Sequence, residues 1–268
     1  MPEAPLPTVQ QLFDLSGRTA LVTGASGHLG SAMAAALAEA GCRVIVASRK
    51  IETARVTADA LGGEQRGKHL AVAFNQMDEA SIERGFADAT ELSGGGIDVL
   101  VNNAHEPLAA DWRRVTGEQF TRQLANVTGY FLLARLVRDG AVARNIPASI
   151  ILLGSMYGEV GSYPDAYEGI CSASPAAYQT LKGGTIQLTR HLAVYWAKDR
   201  VRVNCLSPGP FPSGRANPEM VTRLKSKSPM GRMGEPHELK GAVVFLASDA
   251  SSYMTGQNLV IDGGWTAW

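Results

Sequence analysis

Short apolar runs alternate with longer amphipathic stretches along the chain from Thr19 onwards. The apolar runs are typical of buried strands, and they span Thr19–Thr23, Arg43–Ala47, His69–Phe74, Val99–Val101, Ser149–Leu153, Arg202–Leu206 and Asn258–Ile261. The stretches between them favour helices over Leu29–Ala40, Ile51–Ala60, Glu79–Glu91, Gly117–Asp139, Ala176–Lys198, Pro218–Lys227 and His237–Ala247. Strands that alternate with helices predict an α/β protein with a doubly wound Rossmann fold, in which a seven-stranded parallel sheet is flanked by helices.

The alternating pattern continues without a break, so we expect a single domain over residues 12–268. No linker rich in Pro, Gly or Ser interrupts the 268 residues at mid-chain, and no internal repeat is visible. Residues 1–11 differ, because Pro2, Pro5 and Pro7 disfavour regular structure there. We expect this segment to be a flexible N-terminal tail.

Composition and charge narrow the class of partner. Hydrophobic residues make up 45% of the chain and charged residues 19%, which is typical of a globular protein and excludes a disordered one. Lys and Arg total 25 and so do Asp and Glu, so there is no basic excess for nucleic acid or an anionic membrane surface. The expected partner is a small-molecule substrate, with no nucleic acid and no membrane.

The cysteines and the start of the chain favour a cytoplasmic protein. Cys42, Cys171 and Cys205 are far apart and have no metal-ligand spacing, so we expect free thiols and no metal site. The opening MPEAPLPTVQQ lacks the basic and apolar regions of a secretory signal. Thr19–Ala38 carries no formal charge, but Gly, Ser, Thr and His interrupt it, which argues against a transmembrane helix.

A glycine-rich turn follows the first predicted strand. Gly24, Gly27 and Gly30 stand between the strand TALVT and an Ala-rich helix. Glycines at such a position let the backbone turn sharply and approach a pyrophosphate, which binds at the N-terminus of the helix. A tight turn without a ligand is the alternative. The place of the turn, directly after the first strand of an alternating pattern, favours nucleotide binding.

The end of the second predicted strand indicates which dinucleotide binds. Arg49 and Lys50 follow VIVAS, at the place where folds that prefer NAD have an acidic residue for the ribose 2′-hydroxyl. A basic pair can instead bind the 2′-phosphate of NADP, and the Ser48 hydroxyl would be a further donor. Solvated loop charges are the alternative interpretation. We predict NADP(H) in preference to NAD(H).

Tyr178 and Lys182 lie four residues apart in one predicted helix, so their side chains share a face. A nearby ammonium group stabilises a phenolate and lowers the pKa of the tyrosine. Such a tyrosine can exchange a proton with an alcohol oxygen near neutral pH. Ser155 follows the apolar run SIILLG and would hydrogen-bond the same oxygen from the end of a strand. A Tyr–Lys pair at this spacing is common by chance, so the glycine turn and the serine are what make it specific.

Together these motifs resemble those of the short-chain dehydrogenase/reductase family, in its short single-domain type. The resemblance covers nearly all of the chain from Phe13 to Trp265. It is carried by TGASGHLG (23–30), IDVLVNNA (97–104), Asn126 in NVTGYF, Ser155, YQTLK (178–182), RVNCLSPG (202–209) and GQNLVIDGGW (256–265). The family signature is a tetrad of Asn, Ser, Tyr and Lys, and all four positions are filled here.

The resemblance implies a role for each member of the tetrad. Tyr178 would be the catalytic acid and base, and Ser155 would orient and polarise the substrate oxygen. Lys182 would bind the nicotinamide ribose and lower the pKa of Tyr178. Asn126 would support a water molecule in a proton relay.

The same resemblance places the cofactor. Asn102 and Ala104 would lie beside the adenosine ribose, and Pro208, Gly209 and Ser213 would lie beside the nicotinamide. The expected cofactor-binding residues are Gly24, Ser26, Gly27, His28, Leu29, Ser48, Arg49, Asn75, Gln76, Asn102, Ala104, Tyr178, Lys182, Pro208, Gly209 and Ser213.

Three positions depart from the family pattern. The usual glycine turn is TGxxxGxG, and His28 replaces its second glycine, which gives the spacing TGxxGxxG of the family's extended branch. Asn75 stands where an acidic residue often follows the third strand, near the adenine. His105 occupies the last position of the NNAG motif and puts a titratable side chain near the cofactor cleft. A purely structural role is the alternative for both histidines.

The segment between Ser155 and Tyr178 is longer than is typical of the family. Residues 156–177, MYGEVGSYPDAYEGICSASPAA, are rich in Tyr, Gly and Pro. A neutral surface excursion is one interpretation, because the entropy of a loop grows slowly with its length. We favour a role in shaping the substrate site, because this insertion joins two catalytic residues.

Residues 210–229 correspond to the family's substrate-binding loop. Their basic side chains would suit an anionic or polyhydroxylated substrate, although a solvated helix face explains them equally well. These side chains are Arg215, Arg223, Lys225 and Lys227.

The ending GGWTAW puts Trp265 and Trp268 at the C-terminus, where two large rings favour burial, for example against a neighbouring subunit. The resemblance implies a homotetramer, with a homodimer as the other expectation.

We therefore expect an NADP(H)-dependent oxidoreductase that interconverts a secondary alcohol and a ketone, with a polar sugar acid or polyol as substrate. One alternative is the reduction of 3-oxoacyl thioesters or other apolar ketones, for which the basic loop would dock a carrier. The other alternative is a dinucleotide-binding scaffold without catalysis, and the complete tetrad argues against it.

Overall fold

Seven parallel strands form one sheet in the part of the chain that the structure, a computed structural model, describes: residues 6–108, 110–172 and 174–268. The strands are β1 (Thr19–Thr23), β2 (Arg43–Ser48), β3 (Leu70–Ala73), β4 (Val99–Asn102), β5 (Ala148–Leu153), β6 (Val201–Pro208) and β7 (Asn258–Ile261). The α-helices are α1 (Val9–Phe13), α2 (His28–Glu39), α3 (Ile51–Ala60), α4 (Glu79–Ser93), α5 (Gly117–Arg144), α6 (Pro164–Tyr167), α7 (Ala176–Trp196), α8 (Pro218–Lys225) and α9 (Lys240–Ala247).

The strand order β3-β2-β1-β4-β5-β6-β7 confirms the predicted doubly wound fold. The chain runs outwards from β1 to β3 and then returns to add β4 on the other side of β1. Leu21 of β1 accordingly pairs with Ile45 of β2 on one side and with Leu100 of β4 on the other. The order reverses between β1 and β4, and ligands of such folds bind beyond the carboxyl ends of the strands at this point.

Both faces of the sheet are buried. Ala20 and Val22 pack in the cluster that α2, α3 and α9 cover, whereas Leu21 packs in the cluster of α4, α5 and α7. All three side chains are fully buried. Apolar residues on both faces of a strand explain why the predicted strands are continuous hydrophobic runs rather than alternating ones. Because both faces are covered, polar side chains can meet a ligand beyond the ends of the strands.

The predicted boundaries differ from the observed ones where local geometry decides. Helix α5 continues past the predicted end at Asp139 to Arg144, because the stop is Asn145, whose φ of 55° forms a left-handed cap. A 3₁₀ turn over Pro236–Leu239 occupies the start of the predicted last helix, so α9 begins only at Lys240.

The N-terminal segment contains a short helix that is capped by Thr8. Residues 1–5 of the expected tail lie outside the described residues. The Thr8 hydroxyl accepts a hydrogen bond from the Gln11 N–H, the Gln11 side chain accepts one from the Thr8 N–H, and this capping box starts α1. Phe13 at the end of α1 lies against Phe245, with ring centroids 6.3 Å apart. The expected tail, residues 1–11, therefore includes the start of a docked helix.

Among the helices of the described segments, none is long and apolar enough to span a membrane.

Candidate active site

Two adjoining cavities open at the carboxyl edge of the sheet, beside the reversal of strand order. The larger, of about 320 Å³, lies at the glycine turn and the ends of β2 and β3, and we call it the turn cavity. The smaller, of about 260 Å³, lies at Tyr178 and the ends of β5 and β6, and we call it the tyrosine cavity. Asn103 and His105, just after β4, line both. The two cavities therefore form one continuous cleft.

The glycine turn lines the turn cavity through Gly24, Ser26 and Gly27. Gly24 has a φ of 63°, a left-handed conformation that favours glycine. At Gly30 a Cβ atom would lie 2.1 Å from the Gly24 carbonyl oxygen, so a side chain there would push α2 away from the turn. Gly27 is the N-cap of α2, whose first N–H groups have no partner within the helix. This backbone fits the pyrophosphate of a dinucleotide.

The two residues after the turn have different environments. Helix α2 begins at His28, and the His28 side chain is exposed and absent from the described lining of the cleft. Leu29 lines the tyrosine cavity. The histidine that replaces the family's second glycine is thus accommodated on the first turn of a helix, where its side chain reaches solvent. Direct contact between His28 and the cofactor stays a prediction.

Polar residues line the far end of the turn cavity. Ser48 and Arg49 follow β2, and Asn75 and Gln76 follow β3. The Asn75 side chain accepts a hydrogen bond of 3.1 Å from the Met77 N–H and so shapes this loop. Gln76 is buried, and among the described residues its Oε1 has no hydrogen-bond partner. An unpartnered acceptor beside polar side chains fits the adenosine part of a dinucleotide, which carries N–H and O–H donors.

Besides His28, two more of the expected cofactor-binding residues, Asn102 and Ser213, are absent from the described lining of the cleft. Asn102 is fully buried, where its Nδ2 donates to the Tyr130 carbonyl at 3.1 Å and its Oδ1 accepts from the Thr23 hydroxyl at 3.4 Å. It is the last residue of β4, and its side chain is directed into the core. The next residue, Asn103, lines both cavities instead and donates to the Thr23 carbonyl at 3.0 Å. Ser213 is likewise absent from the described lining of either cavity.

Three members of the predicted tetrad meet in the tyrosine cavity. Ser155 follows β5, and Tyr178 and Lys182 project from α7. Pro208 and Gly209, at the end of β6, line the same cavity, and their contact with the nicotinamide stays a prediction. The helical spacing of Tyr178 and Lys182 therefore brings both side chains to the end of the strand that carries the serine.

Burial governs the acid–base properties of these groups. It lowers the pKa of Lys182, whose side chain is 4% exposed, to about 8. The ammonium donates a hydrogen bond of 2.6 Å to the Leu153 carbonyl and lies 5.6 Å from the centre of the Tyr178 ring. Burial raises the pKa of Tyr178, and a hydrogen bond with the Ser155 side chain opposes that rise. The hydrogen bond that favours the phenolate is thus the one with Ser155, whereas the ammonium donates its hydrogen bond to a carbonyl.

Asn126 is fully buried on α5 and lies outside the lining of the cleft. Its Oδ1 accepts from the Glu106 N–H at 2.7 Å and from Gln76 Nε2 at 3.1 Å. Its Nδ2 donates to the carbonyls of Glu106 at 3.2 Å and Gln123 at 2.9 Å. Gln76 Nε2 also donates to the carbonyl of Ala104, which lines the turn cavity. Asn126 therefore holds the backbone after β4 in place, and its support of a relay water stays a prediction.

The insertion, residues 156–177, contains two short elements that the sequence pattern did not predict. A 3₁₀ turn spans Met156–Gly158, and α6 begins at Pro164; Ala173 lies outside the described residues. The insertion packs against α8 of the 210–229 loop around a small apolar cluster, which we call the insertion core. Its buried members are Met156, Ala166, Tyr167, Leu224, Met233 and Trp265.

Two basic residues of the 210–229 loop bind the insertion. Lys227 Nζ lies 2.5 Å from Asp165 Oδ2 and 5.0 Å from the centre of the Tyr163 ring. Arg223 donates to the carbonyls of Asp165 at 3.1 Å and Glu168 at 2.7 Å. These contacts give both charges a structural role, so they are no longer an argument for an anionic substrate.

The two C-terminal tryptophans have opposite environments. Trp265 is 1% exposed and lies edge-on to Tyr163, with ring centroids 5.4 Å apart. Trp268 is 70% exposed. The burial of Trp265 is achieved within one chain, so it does not require a neighbouring subunit. The oligomeric state stays a prediction.

Sequence reasoning missed two residues that line the cleft, Asn103 and Phe211, and one that contacts its lining, Gln123. Asn103 is the second Asn of VNNA, and only the direction of each side chain at the end of β4 separates it from Asn102. Phe211 lines the tyrosine cavity from the loop after β6, and nothing in its sequence context distinguished it. Gln123 is buried on α5 and contacts His105, and its place in a helical pattern gave no signal.

The chain is similar to known proteins over nearly its whole length. Residues 24–266 match the family model described as enoyl-(acyl carrier protein) reductase. D-arabinitol 2-dehydrogenase [ribulose-forming] of Scheffersomyces stipitis is 35% identical over 276 residues, which covers 96% of each chain. NADP-dependent mannitol dehydrogenase of Hypocrea jecorina is 36% identical and covers 99% of each chain. A solved gluconate 5-dehydrogenase from Burkholderia cenocepacia J2315, in complex with NADP and tartrate, has a TM-score of 0.85 at 29% identity, over 97% of this chain and 100% of that one.

The fold, the cleft and the Ser–Tyr–Lys site define a dinucleotide-binding oxidoreductase. The family model and both dehydrogenases match nearly the whole chain, and the two dehydrogenases are 35% and 36% identical to it. This protein belongs to the short-chain dehydrogenase/reductase family. In the described ranges, no group of three or more His, Cys, Asp or Glu side chains is arranged to hold a metal ion.

Proposed function

We propose that this protein is an NADP(H)-dependent oxidoreductase that interconverts a secondary alcohol and a ketone on a polar, polyol-like or sugar-acid-like substrate. The observation that carries the proposal is the meeting of Ser155, Tyr178 and Lys182 at one end of a cleft whose other end is the glycine turn. The polar substrate class is supported by relatives named for arabinitol, mannitol and gluconate.

The chain's own residues would perform the binding and the proton transfer. The glycine turn and the N-terminus of α2 would bind the pyrophosphate. The bound dinucleotide supplies the hydride donor or acceptor. Ser155 would orient the substrate oxygen through its hydroxyl, and Tyr178 would give a proton to that oxygen in reduction or take one in oxidation.

Lys182 would assist the proton transfer through its charge. A group with a pKa of about 8 is mostly protonated at pH 7, so the cavity contains a positive charge near the phenol. The hydrogen bond from the Lys182 ammonium to the Leu153 carbonyl fixes this charge at the end of β5. Replacing Lys182 with Met would remove the charge and keep much of the side-chain volume.

The preference for NADP(H) rests on Arg49, which is exposed and lines the turn cavity at the end of β2. A hydrogen bond to a charged group contributes about 1.5–3 kcal/mol, so Arg49→Ala should lower the ratio of kcat/KM for NADPH to that for NADH by roughly 10- to 100-fold. Arg66→Ala is the matched control, because Arg66 is exposed and outside the lining of the turn cavity. An unchanged ratio in Arg49→Ala would show that this residue does not bind the 2′-phosphate.

A matrix of initial rates tests the activity and the substrate class together. NADPH and NADH are each combined with 2-ketoses, keto sugar acids, 2-pentanone and a 3-oxoacyl thioester. We expect the highest kcat/KM with NADPH and a polar ketone, and a loss of about 10²- to 10⁴-fold in Tyr178→Phe, which is the typical contribution of a general acid–base group. The description of the matched family model favours the thioester as the second candidate. Turnover of the thioester alone would show that the substrate class is wrong and leave the roles of Ser155, Tyr178 and Lys182 unchanged. Tight cofactor binding without any turnover would support the alternative of a dinucleotide-binding scaffold without catalysis.

A further inference from the structure

His105 occupies the junction of the two cavities. It lines the turn cavity and the tyrosine cavity, and its ring lies edge-on to that of Tyr178 with centroids 5.5 Å apart. A substrate that presents its reacting carbon to Tyr178 therefore has this imidazole as a neighbour. The mechanism described above uses the serine, the tyrosine and the lysine and gives His105 no role.

The orientation of the imidazole is set by a buried side chain. Gln123, which is 3% exposed on α5, has its Nε2 atom 3.1 Å from His105 Nε2. The amide nitrogen donates, so Nε2 of the histidine accepts and the proton of the neutral ring is on Nδ1. Within the described chain Nδ1 has no hydrogen-bond partner, and it is not one of the buried unpartnered atoms either. The Nδ1–H is therefore available as a donor on a residue that lines both cavities.

The imidazole stays neutral across the physiological range. Burial lowers the pKa of His105 to about 4, and the nearby Lys182 ammonium acts in the same direction. A neutral imidazole N–H can donate a hydrogen bond to a hydroxyl oxygen without adding a charge to the site. The side chain of Glu106, the next residue, accepts two hydrogen bonds from Arg122, so its carboxylate already has a partner other than the substrate.

We propose that His105, held by Gln123, donates a hydrogen bond from Nδ1 to a substrate hydroxyl beside the reacting carbon and thereby selects polyhydroxylated substrates. This inference rests on the proposed function, because it needs a polar substrate in the tyrosine cavity. It makes His105 a specificity-determining residue rather than a member of the proton-transfer group. Gln123 is the positioning residue that holds the ring in the donor orientation.

The test compares two ketones with the same number of carbon atoms, a 2-ketopentose and 2-pentanone, with NADPH as the reductant. The measured quantity is the ratio of kcat/KM for the ketopentose to that for 2-pentanone. One hydrogen bond contributes about 1 kcal/mol, so His105→Ala should lower this ratio by roughly 5- to 10-fold. His105→Asn keeps an N–H donor and should restore part of the ratio, and Gln123→Leu should lower it by a smaller factor.

Three further measurements make the result specific. His237→Ala is the matched control, because this histidine is exposed on the surface and should leave the ratio unchanged. The Kd of NADPH, measured by fluorescence, should change by less than about threefold in His105→Ala, since one hydrogen bond to the substrate is removed and none to the pyrophosphate. The binding of ribitol to the NADPH complex, measured by calorimetry, should weaken in parallel with the ratio.

The inference and the proposed function fail in different ways. Equal losses of kcat/KM for both ketones in His105→Ala would show that the histidine acts on Tyr178 instead of on a substrate hydroxyl, and would overturn the inference. A wild-type enzyme that prefers 2-pentanone to the ketopentose would overturn the proposed substrate class, whatever the variants do.

Discussion

Replacing Trp265 with alanine would remove the largest side chain of the insertion core. The indole is 1% exposed and lies 5.4 Å from the Tyr163 ring, centroid to centroid. Truncating a buried Trp to Ala typically lowers the free energy of unfolding by about 3–5 kcal/mol. Against this, Trp265 Nε1 is buried without a partner in the described residues, and relief of an unsatisfied donor returns about 1–3 kcal/mol. The centres of the two ranges give an expected net loss of about 2 kcal/mol.

The matched control is Trp268→Ala, the same chemical change at a side chain that is 70% exposed. Surface substitutions usually change stability by less than about 0.5 kcal/mol. A loss of 1 kcal/mol lowers the Tm of a domain of this size by about 2–4 °C, so Trp265→Ala should lower it by roughly 4–8 °C and Trp268→Ala by less than about 2 °C.

Thermal melts followed by fluorescence and by circular dichroism measure both variants. Trp265→Phe adds a second comparison, because it keeps an aromatic ring and removes the unpartnered N–H, and it should lose less stability than the alanine variant. Equal decreases in Tm for Trp265→Ala and Trp268→Ala would refute the reasoning, because the two sites would then be equally buried in the protein in solution.

Three further predictions concern the turn, the junction histidine and the loop. Gly30→Ala should lower stability by about 1–3 kcal/mol and weaken dinucleotide binding, because its Cβ would lie 2.1 Å from a carbonyl oxygen; Gly184→Ala, in open space on α7, should be neutral or stabilising in the same melts. His105 has a pKa lowered from 6.5 to about 4, so the unfolded chain takes up a proton first as the pH falls and stability is lost between these values. His105→Gln should reduce the decrease in Tm between pH 7 and pH 4. If the Tm depends on pH in the same way in this variant as in the wild type, His105 is not the group that causes the decrease. Lys227→Met should speed proteolytic cleavage within residues 156–177 while it changes the Tm little, since exposed ion pairs contribute little to global stability, and an unchanged cleavage rate would count against the contact.

The sheet was predictable because its signal is local. Residues such as Leu21 and Val22 are consecutive apolar positions, and a strand with apolar side chains on both faces is typical of a parallel sheet covered on both sides. The glycine spacing 24–27–30 and the four-residue spacing of Tyr178 and Lys182 are local as well. Each of these patterns favours one local structure: a buried strand, a tight turn before a helix, or two side chains on one helix face. The structure contains all three.

The parts that escaped sequence reasoning depend on contacts between distant segments. The charge of Lys227 has its partner in Asp165, and Trp265 has its partner in Tyr163, so neither environment can be inferred from neighbouring residues. The choice between Asn102 and Asn103 depends on which side chain of adjacent residues is directed into the core at the end of β4. Helix α6 has only four residues, which is too short for a helical period to be visible.

The contacts between the insertion and the 210–229 loop bear on how substrate preference can be engineered in this protein. Arg223 binds carbonyls of the insertion, and Leu224 shares the insertion core with Tyr167. A graft of the loop alone from another member of the family would leave those carbonyls and that cluster without their partners. Chimeras should therefore exchange both segments as one module, and libraries that vary one segment should hold the facing residues of the other constant.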